Sequence, residues 1–488
     1  MERRVRERIA ELEWDTWGGS LEVGLGALGT RWEFSREWLR ALCRLSRLYF
    51  LKNPLVNRGV MIQAVYVWGQ GVRVTARHPV VQAVVRRFWE DPANQAELTA
   101  HRAQILKECD LQVDGNLFFA LFRDPRTGQV RVRTIPVDEV EAILHNPEDR
   151  REPWWYQRRH VVVPVAAQAG RQGVRERVTY YPDWQLGEEE VARRAAELRQ
   201  AVGGRGPGVV IEEGVRVLHV RVGGLSEMQF GVPETYQALD WAQAYRGFLE
   251  DWASLVKALS RFAFKLTVPN DPRALEAAKQ VLETTVGVEQ PVEGRPAPPA
   301  GSVWAGPAEF DLQPVRTGGA VVRAEDGRRL LLMVCAALGV PETFMGDVSV
   351  GTLATAESLD RPTELKFRAR QTLWQDTLGG ILQYVVRSAA AAGVDGLRWE
   401  PEGGVTWQGQ EIDTYVDVRF PPILERDMTK VVDAVVDAAT LRGRALAGVI
   451  DPETVTRLLL QAVDAGDIDK LVRKVYGTNG DVDAVDGG

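Results

Sequence analysis

Gly24-Leu25-Gly26-Ala27-Leu28-Gly29 has the GxGxxG spacing of a dinucleotide-binding turn. That chemistry needs a buried strand before the turn, a helix opening within it, and an acid about 20 residues on to hold a ribose. Here Trp17, Gly18 and Gly19 come first, and the stretch from Ser46 to Phe50 offers no acid. The segment therefore reads as a flexible N-terminal loop. Ser254-Leu255-Val256-Lys257 matches SxxK, yet the chain has no SDN or KTG companion, and the match sits inside a long helical pattern. No GxxxxGK[ST] occurs, which excludes a P-loop nucleotide site as far as a motif can. His78, His101, His145, His160 and His219 are scattered without HExxH or HxxxH, and Cys43, Cys109 and Cys335 form no CxxC pair. The cysteines read as small buried apolar residues in a reducing compartment. The acidic end, Asp481-Val482-Asp483-Ala484-Val485-Asp486, lacks the spacing and terminal Glu of a calcium loop. No catalytic constellation, cofactor motif or metal set emerges, and a long chain without an active site points to an assembly role.

Composition narrows the class further. The chain has 488 residues, 45% hydrophobic and 26% charged, the range of soluble globular proteins of two to four domains. Its longest apolar stretch, Leu330 to Val340, falls short of the ~18 residues that a membrane span needs. Met1 to Glu13 is rich in Arg and Glu, unlike a signal peptide. Sixty basic residues against 67 acidic ones leave a net charge of -7, so the chain is not a polycation built to grip nucleic acid.

The elements that would position any function follow from periodicity. Arg36 to Phe50 and Pro54 to Val67 read as helices. Leu117 to Arg123 and Gln129 to Ile135 read as strands around Asp124-Pro125-Arg126-Thr127-Gly128, a turn with Gly placed for positive φ. Val161 to Val165 and Val215 to Val222 are also strand-like. Glu188 to Val202 is an exposed-looking helix ended by a Gly/Pro breaker. Glu234 to Phe262 is the strongest helix, with Ala242, Leu249 and Val256 at one heptad position and Tyr245, Trp252 and Leu259 at the other. Such a stripe suits a globular core or neighbouring copies equally. Arg273 to Val286 is a further helix, opened by Pro272. A Pro/Gly-rich stretch from Val288 to Pro307 follows it. Arg323 to Leu338 is a helix stopped at Gly339, with Pro341 beyond. A small, uncharged run then leads to a long helix from about Ser358 to Ala392, a strand region from Gly404 to Phe420, and short C-terminal helices.

Particular residues in this order resemble the portal proteins of long-tailed, double-stranded DNA bacteriophages. Asn53-Pro54-Leu55-Val56, Arg58-Gly59-Val60 and Tyr66-Val67-Trp68-Gly69-Gln70-Gly71-Val72 are similar to that family's N-terminal signature. Phe230-Gly231-Val232-Pro233 resembles the approach to its first stem helix. Leu338-Gly339-Val340-Pro341, Gly346-Asp347 and Leu353-Ala354-Thr355-Ala356 resemble its passage from stem through tunnel loop to spine helix. The resemblance runs from about residue 35 to 425, and its strength lies in order and spacing.

The resemblance implies an α+β fold of portal-type architecture. Its parts would be a mixed wing at 1–233, a first stem helix at 234–262, an α/β clip at 263–318 and a second stem helix at 319–340. A tunnel loop would occupy 341–357, the spine helix and C-terminal wing strands 358–425, and a helical crown with its tail 426–488. It implies a homo-oligomeric ring, usually of twelve subunits, at the capsid portal vertex of a virion assembled in the host cytoplasm. Double-stranded DNA would pass through the ring during packaging and ejection. Its partners would be the large terminase, the major capsid protein or scaffold, and head–tail adaptors, with no membrane, cofactor or metal. The alternatives are another ring-forming head–tail protein or an unrecognised hydrolase. Glu188 to Val202 matches no part of the family pattern and reads as an insertion on the wing rim.

A conduit should let DNA slide, because every neutralised phosphate adds affinity. Lys257 and Arg261, on the polar side of the first stem helix, are the expected channel cations, with Glu250, Asp251 or a neighbouring subunit as their alternative partners. Val348, Ser349, Val350, Gly351, Thr352, Leu353, Ala354 and Thr355 are the expected tunnel loop, a collar of short side chains. Arg361, Lys366, Arg368 and Arg370 read as ion-pair partners between subunits. Deleting Ser349 to Ala354 should impair DNA packaging while ring assembly, followed by particle mass, stays intact; loss of the ring would refute the loop assignment.

Overall fold

The computed structural model describes residues 34–69, 71–163, 175–202, 208–261, 264–267, 311–314, 324–346, 353–400, 404–420 and 468–476, with a few single or paired positions elsewhere. The fold is α+β. Helices α1 (Arg36–Lys52) and α2 (Pro54–Trp68) meet at a corner made by one residue. The Asn53 side chain accepts hydrogen bonds from the Leu55 and Val56 N–H groups at 3.0 and 3.2 Å, and Pro54 opens α2. An Asn cap followed by Pro suits the N-terminal turn, where donors are unpaired and Pro lacks one.

Next come β1 (Arg73–Ala76), α3 (Pro79–Glu90), a π-turn at Gln95–Thr99 and α4 (His101–Asp114). The central sheet has the order β3-β2-β8, from β2 (Asn116–Arg123), β3 (Val130–Ile135) and β8 (Val215–Arg221), all antiparallel. Its middle strand is buried on both faces from Asn116 to Leu121, which explains its unbroken apolar run. Gly128 takes φ 65° in the β2–β3 turn, the left-handed conformation expected there.

A second sheet, ordered β4-β5-β6-β7, comprises β4 (Val140–His145), β5 (Pro153–Val162), β6 (Arg175–Pro182) and β7 (Val209–Ile211). Strand β5 starts eight residues before the Val161 predicted from sequence. Its core-facing residues are Trp155 and Tyr156, while Arg158 and Arg159 interrupt the apolar pattern. Helix α5 (Glu188–Val202) links β6 to the parallel β7. One face of this otherwise largely exposed helix packs inward: Val191 and Ala195 build a small core with Trp155, Tyr180 and Leu186.

The chain continues through α6 (Tyr236–Arg261), β9 (Phe264–Thr267), β10 (Asp311–Pro314) and α7 (Arg328–Leu338) to the 39-residue α8 (Leu353–Ala391). The expected helix from Arg323 to Leu338 is a 3-10 turn at Ala324–Gly327 followed by α7. Beyond α8, the expected strand region divides into β12 (Gly404–Trp407), β13 (Gln410–Glu411) and β14 (Val416–Arg419), preceded by β11 (Leu397–Glu400). Gln408 and Gly409, both at positive φ, turn β12 into β13. Strand β14 returns to pair antiparallel with β1, Val74 opposite Val418. Helix α8 crosses the main core, where Trp374, Leu378, Ile381 and Leu382 are fully buried. Helix α9 (Ile468–Tyr476) is the longest C-terminal helix among the described residues.

Gly115 caps α4 at φ 70°, and a Cβ there would lie 2.5 Å from the Val232 carbonyl carbon. Gly115→Ala therefore meets both backbone strain and a backbone clash. Urea unfolding should register a loss of roughly 2 kcal/mol or more. An unchanged midpoint would show that these two segments separate freely.

Candidate functional site

Helix α6 begins in the core and leaves it. Ala238, Leu239 and Ala242 are buried, and the Tyr236 ring sits edge-on to Trp38 at 5.6 Å. Further along, Trp241, Leu249, Leu255 and Val256 are exposed. Strands β9 and β10 pair antiparallel, Phe264 opposite Pro314 and Thr267 opposite Asp311, so both ends of the segment between them are held together. Helix α7 then runs back to the core. Gly327, before its first turn, lies against the Phe248 ring of α6, and Leu338 at its far end is buried beside Gly59 of α2. Gly59 makes room for this side chain, since a Cβ would fall 2.5 Å from Leu338 Cδ1 and force it to shift.

Both helices of this hairpin show apolar surface on a second side. In α7, Val334, Cys335 and Leu338 face inward, whereas Arg329, Leu332, Met333 and Ala336 are exposed at i, i+3, i+4 and i+7. On α6, Ala242, Tyr245, Leu249 and Ala253 form one wall of a cleft of about 890 Å³, with Tyr49, Pro54 and Leu55 opposite. A helix apolar all round is one that expects to be buried all round.

The hairpin is anchored by an ionic node. Glu108 of α4 is 1% exposed and meets Arg370 Nε of α8 at 3.4 Å. Its carboxylate also accepts the Trp374 indole N–H at 2.5 Å and the Gln112 amide at 2.8 Å. Arg370 reaches on to Glu234, two residues before α6 begins. One turn earlier in α8, Lys366 Nζ donates to the Leu338 carbonyl at 2.6 Å and so caps the end of α7. Burial pushes the Glu108 carboxyl above the ordinary carboxylate range, against the pull of Arg370 and the Trp374 N–H. Burial alone would lower Arg370, but Glu108 and Glu234 outweigh it and hold the guanidinium above its usual value. Burial pushes the Lys366 ammonium down, with Glu234 opposing.

The sequence-predicted site residues fall as follows. Lys257 is exposed near the far end of α6. Arg246 Nε pairs with Glu250 at 2.7 Å, so one carboxylate offered to Lys257 is already engaged. Arg261 ends α6, and its side chain lies outside the described residues. Val348, Ser349, Val350, Gly351 and Thr352 lie outside them too. Leu353, Ala354 and Thr355 are corrected: they are the first turn of α8, which starts before the expected Ser358. Leu353-Ala354-Thr355-Ala356-Glu357 contains neither Gly nor Pro, and Ala and Leu favour a helix. The near side of this connection is pinned by Phe344, whose ring stacks on Tyr66 at 5.4 Å and whose carbonyl accepts from Arg58 Nε at 2.5 Å.

The spine cations already have partners inside the chain. Arg368 pairs with Glu364 one turn away, Arg370 with Glu108 and Glu234, and Lys366 donates to the Leu338 carbonyl. The Arg361 side chain, Arg273 to Val286 apart from Arg273, and the GxGxxG segment lie outside the described residues. Ser254 and Lys257 of the SxxK match are both exposed on α6. Cys43, Cys109 and Cys335 are buried free thiols. Among the described residues no cluster of three His, Cys, Asp or Glu side chains could hold a metal, and no helix is long and apolar enough to cross a membrane.

No family model and no curated protein matches the chain in sequence. Among solved structures it is similar to a chain in the neck of an empty gene transfer agent particle computed with C6 symmetry. There the TM-score is 0.47 and the identity 14%, over 90% of this chain and 96% of that one. It is also similar to a chain in the neck of the native particle computed with C12 symmetry. That match has a TM-score of 0.46 at 14% identity, covering 86% and 93%. A chain of the native particle's virion gives 0.42 at 14% identity, covering 85% and 92%.

Arg370→Met would leave Glu108 buried without its counter-charge, a loss of about 3–5 kcal/mol in urea unfolding near neutral pH. Glu108→Gln/Arg370→Met should recover much of it. Because the folded Glu108 carboxyl titrates above its unfolded value, its folded form is favoured below about pH 4.3 and penalised as pH rises. The deficit of Arg370→Met should therefore shrink in acid. A pH-independent deficit would refute the buried charge.

Proposed function

We propose that this chain is a portal-type subunit, one of a ring of identical copies that forms a DNA conduit at a capsid vertex. The carrying observation is the α6–α7 hairpin. It leaves the core with apolar surface on two sides, Leu332 and Met333 on one helix and the Leu249 cleft on the other. Two unlike apolar faces cannot both be covered by a two-fold contact of one face with itself. They suit a head-to-tail contact repeated around a ring.

On this reading α6 and α7 are the stem around the channel, and α6 alone, at 26 residues, extends about 39 Å. The 263–318 segment, whose ends β9 and β10 tie together, is the clip that meets the terminase motor and later the adaptors. The two sheets form the wing, facing capsid protein or scaffold. Helix α8 is the spine, residues 426–488 are the crown, and the stretch from Val348 to Thr355, which ends in the first turn of α8, belongs to the tunnel loop. A net charge of -7 on each copy keeps the conduit from holding DNA tightly. Lys257 and Arg261 remain the proposed channel cations. The chain acts as a scaffold, without catalysis of its own.

Negative-stain electron microscopy of the purified chain, with particle mass alongside, tests the ring. Closed rings of about twelve copies are expected. Leu332→Asp/Met333→Asp should abolish rings while leaving the thermal midpoint of the monomer within a few degrees, since both residues are already exposed. A parent chain that stays monomeric with capsid protein or scaffold present would overturn the proposal.

A further inference from the structure

A second cleft, lined by none of the hairpin residues, lies between the two sheets and encloses about 840 Å³. That volume is in the range of small-ligand sites. Its floor comes from β5, β8 and the loop after β6. Tyr156 and Asp183 are buried there, and the Tyr156 hydroxyl donates to Asp183 Oδ2 at 2.8 Å. Asp183 Oδ1 accepts the Gln185 N–H at 2.9 Å, which leaves each oxygen a further lone pair.

His219 supplies a second acceptor, and its tautomer follows from its neighbour. Asn116 Nδ2 donates to the Asp114 and Gly231 carbonyls at 3.1 and 2.9 Å, and its Oδ1 accepts the Gly231 N–H at 2.7 Å. The amide orientation is thereby set. His219 Nε2, 3.0 Å from that same Oδ1, must carry the proton, so Nδ1 presents a bare lone pair. The ring stacks on Phe118 at 4.2 Å. Burial, with Arg221 and Arg36 nearby, pushes its pKa down to about 3, so it stays a neutral acceptor at any physiological pH. Burial likewise raises Asp183, to about 6.

The mouth has the opposite character. Arg150, Arg151 and Arg221 stand around it with Glu227 as the exposed acid, and Arg221 is steadied by the Ser226 carbonyl at 3.0 Å. Trp184, Ile143 and Met228 supply apolar surface between mouth and floor. Acceptors below, aromatic surface between and guanidinium groups above define a ligand with an N–H donor, a flat ring and an anion, in that order.

We propose that this cleft binds a nucleoside monophosphate with an amino-bearing base, its amino group on Asp183 and His219 and its phosphate at the arginine mouth. This one chemistry has two sources, a free nucleotide or the phosphorylated end of a DNA strand. The site is independent of the ring proposal and would survive its failure.

Calorimetric titration of the purified full chain with AMP, purine riboside monophosphate and inorganic phosphate tests it. One AMP per chain is expected. Removing the amino group should weaken binding about tenfold or more, and inorganic phosphate should be weaker still. Arg151→Ala should weaken both nucleotides alike, because it acts on the shared phosphate. Ser226→Trp, at an exposed position on the mouth, should block the cleft without disturbing the core. Displacement of AMP by a 5′-phosphorylated single strand would identify strand ends as the source, and failure to displace it would identify the free nucleotide. Equal affinities for AMP and phosphate, or AMP binding unchanged in Ser226→Trp, would overturn the proposal.

Discussion

A carboxylate removed from water must be matched, and in this chain that demand falls on Glu108. The effective desolvation cost is several kcal/mol for each buried ion. It is offset only while Arg370, the Trp374 indole and the Gln112 amide all converge on the one group. These partners lie on α4 and α8, and Arg370 extends the constraint to Glu234 at the start of α6. Since Lys366 on the same helix caps α7, one face of α8 sets where both hairpin helices meet the body. This charge network ties the base of the hairpin to the body beside the apolar contacts of Ala238, Leu239, Ala242 and Leu338.

Around that node, the residues that carried the family resemblance turn out to be joints. Asn53 and Pro54 make the α1–α2 corner, Gly59 admits Leu338, and Tyr66 stacks between Phe344 and Phe367. Trp68 packs on Trp374 and Phe420. Gly231 sits where a Cβ would strike the Gly115 and Val222 carbonyl oxygens, at 2.1 and 2.4 Å. These residues are constrained because backbones and large rings meet at separations that other side chains cannot satisfy.

Much of the architecture was legible because local rules and tertiary needs agree. Asn53-Pro54 starts a helix, Gly339 stops one, and the Gly128 turn joins two strands as their residue types require. The misses have specific causes. Strand β5 hides because Arg158 and Arg159 interrupt its apolar residues, and their partners on β6 are not adjacent in sequence. Helix α5 reads as exposed because its acids and arginines outnumber Val191, Ala195, Leu198 and Val202, which pack against the second sheet. The partners of Arg370 could not be read locally, because Glu108 and Glu234 lie more than a hundred residues back along the same chain.

The sequence by itself determined the α+β class, the long helices with their stops, and the broad apolar stripe of α6. Each of these depends on residue type at spacings of a few positions, where backbone geometry dictates the outcome. The tertiary structure alone decided which charges pair, which face of α7 stays uncovered, and that a cleft with acceptors at its floor and arginines at its mouth exists at all. Asp183, His219 and Arg151 come from separate segments with no shared periodicity. Burial and mutual distance give such residues their chemistry, and neither quantity exists until the chain has folded.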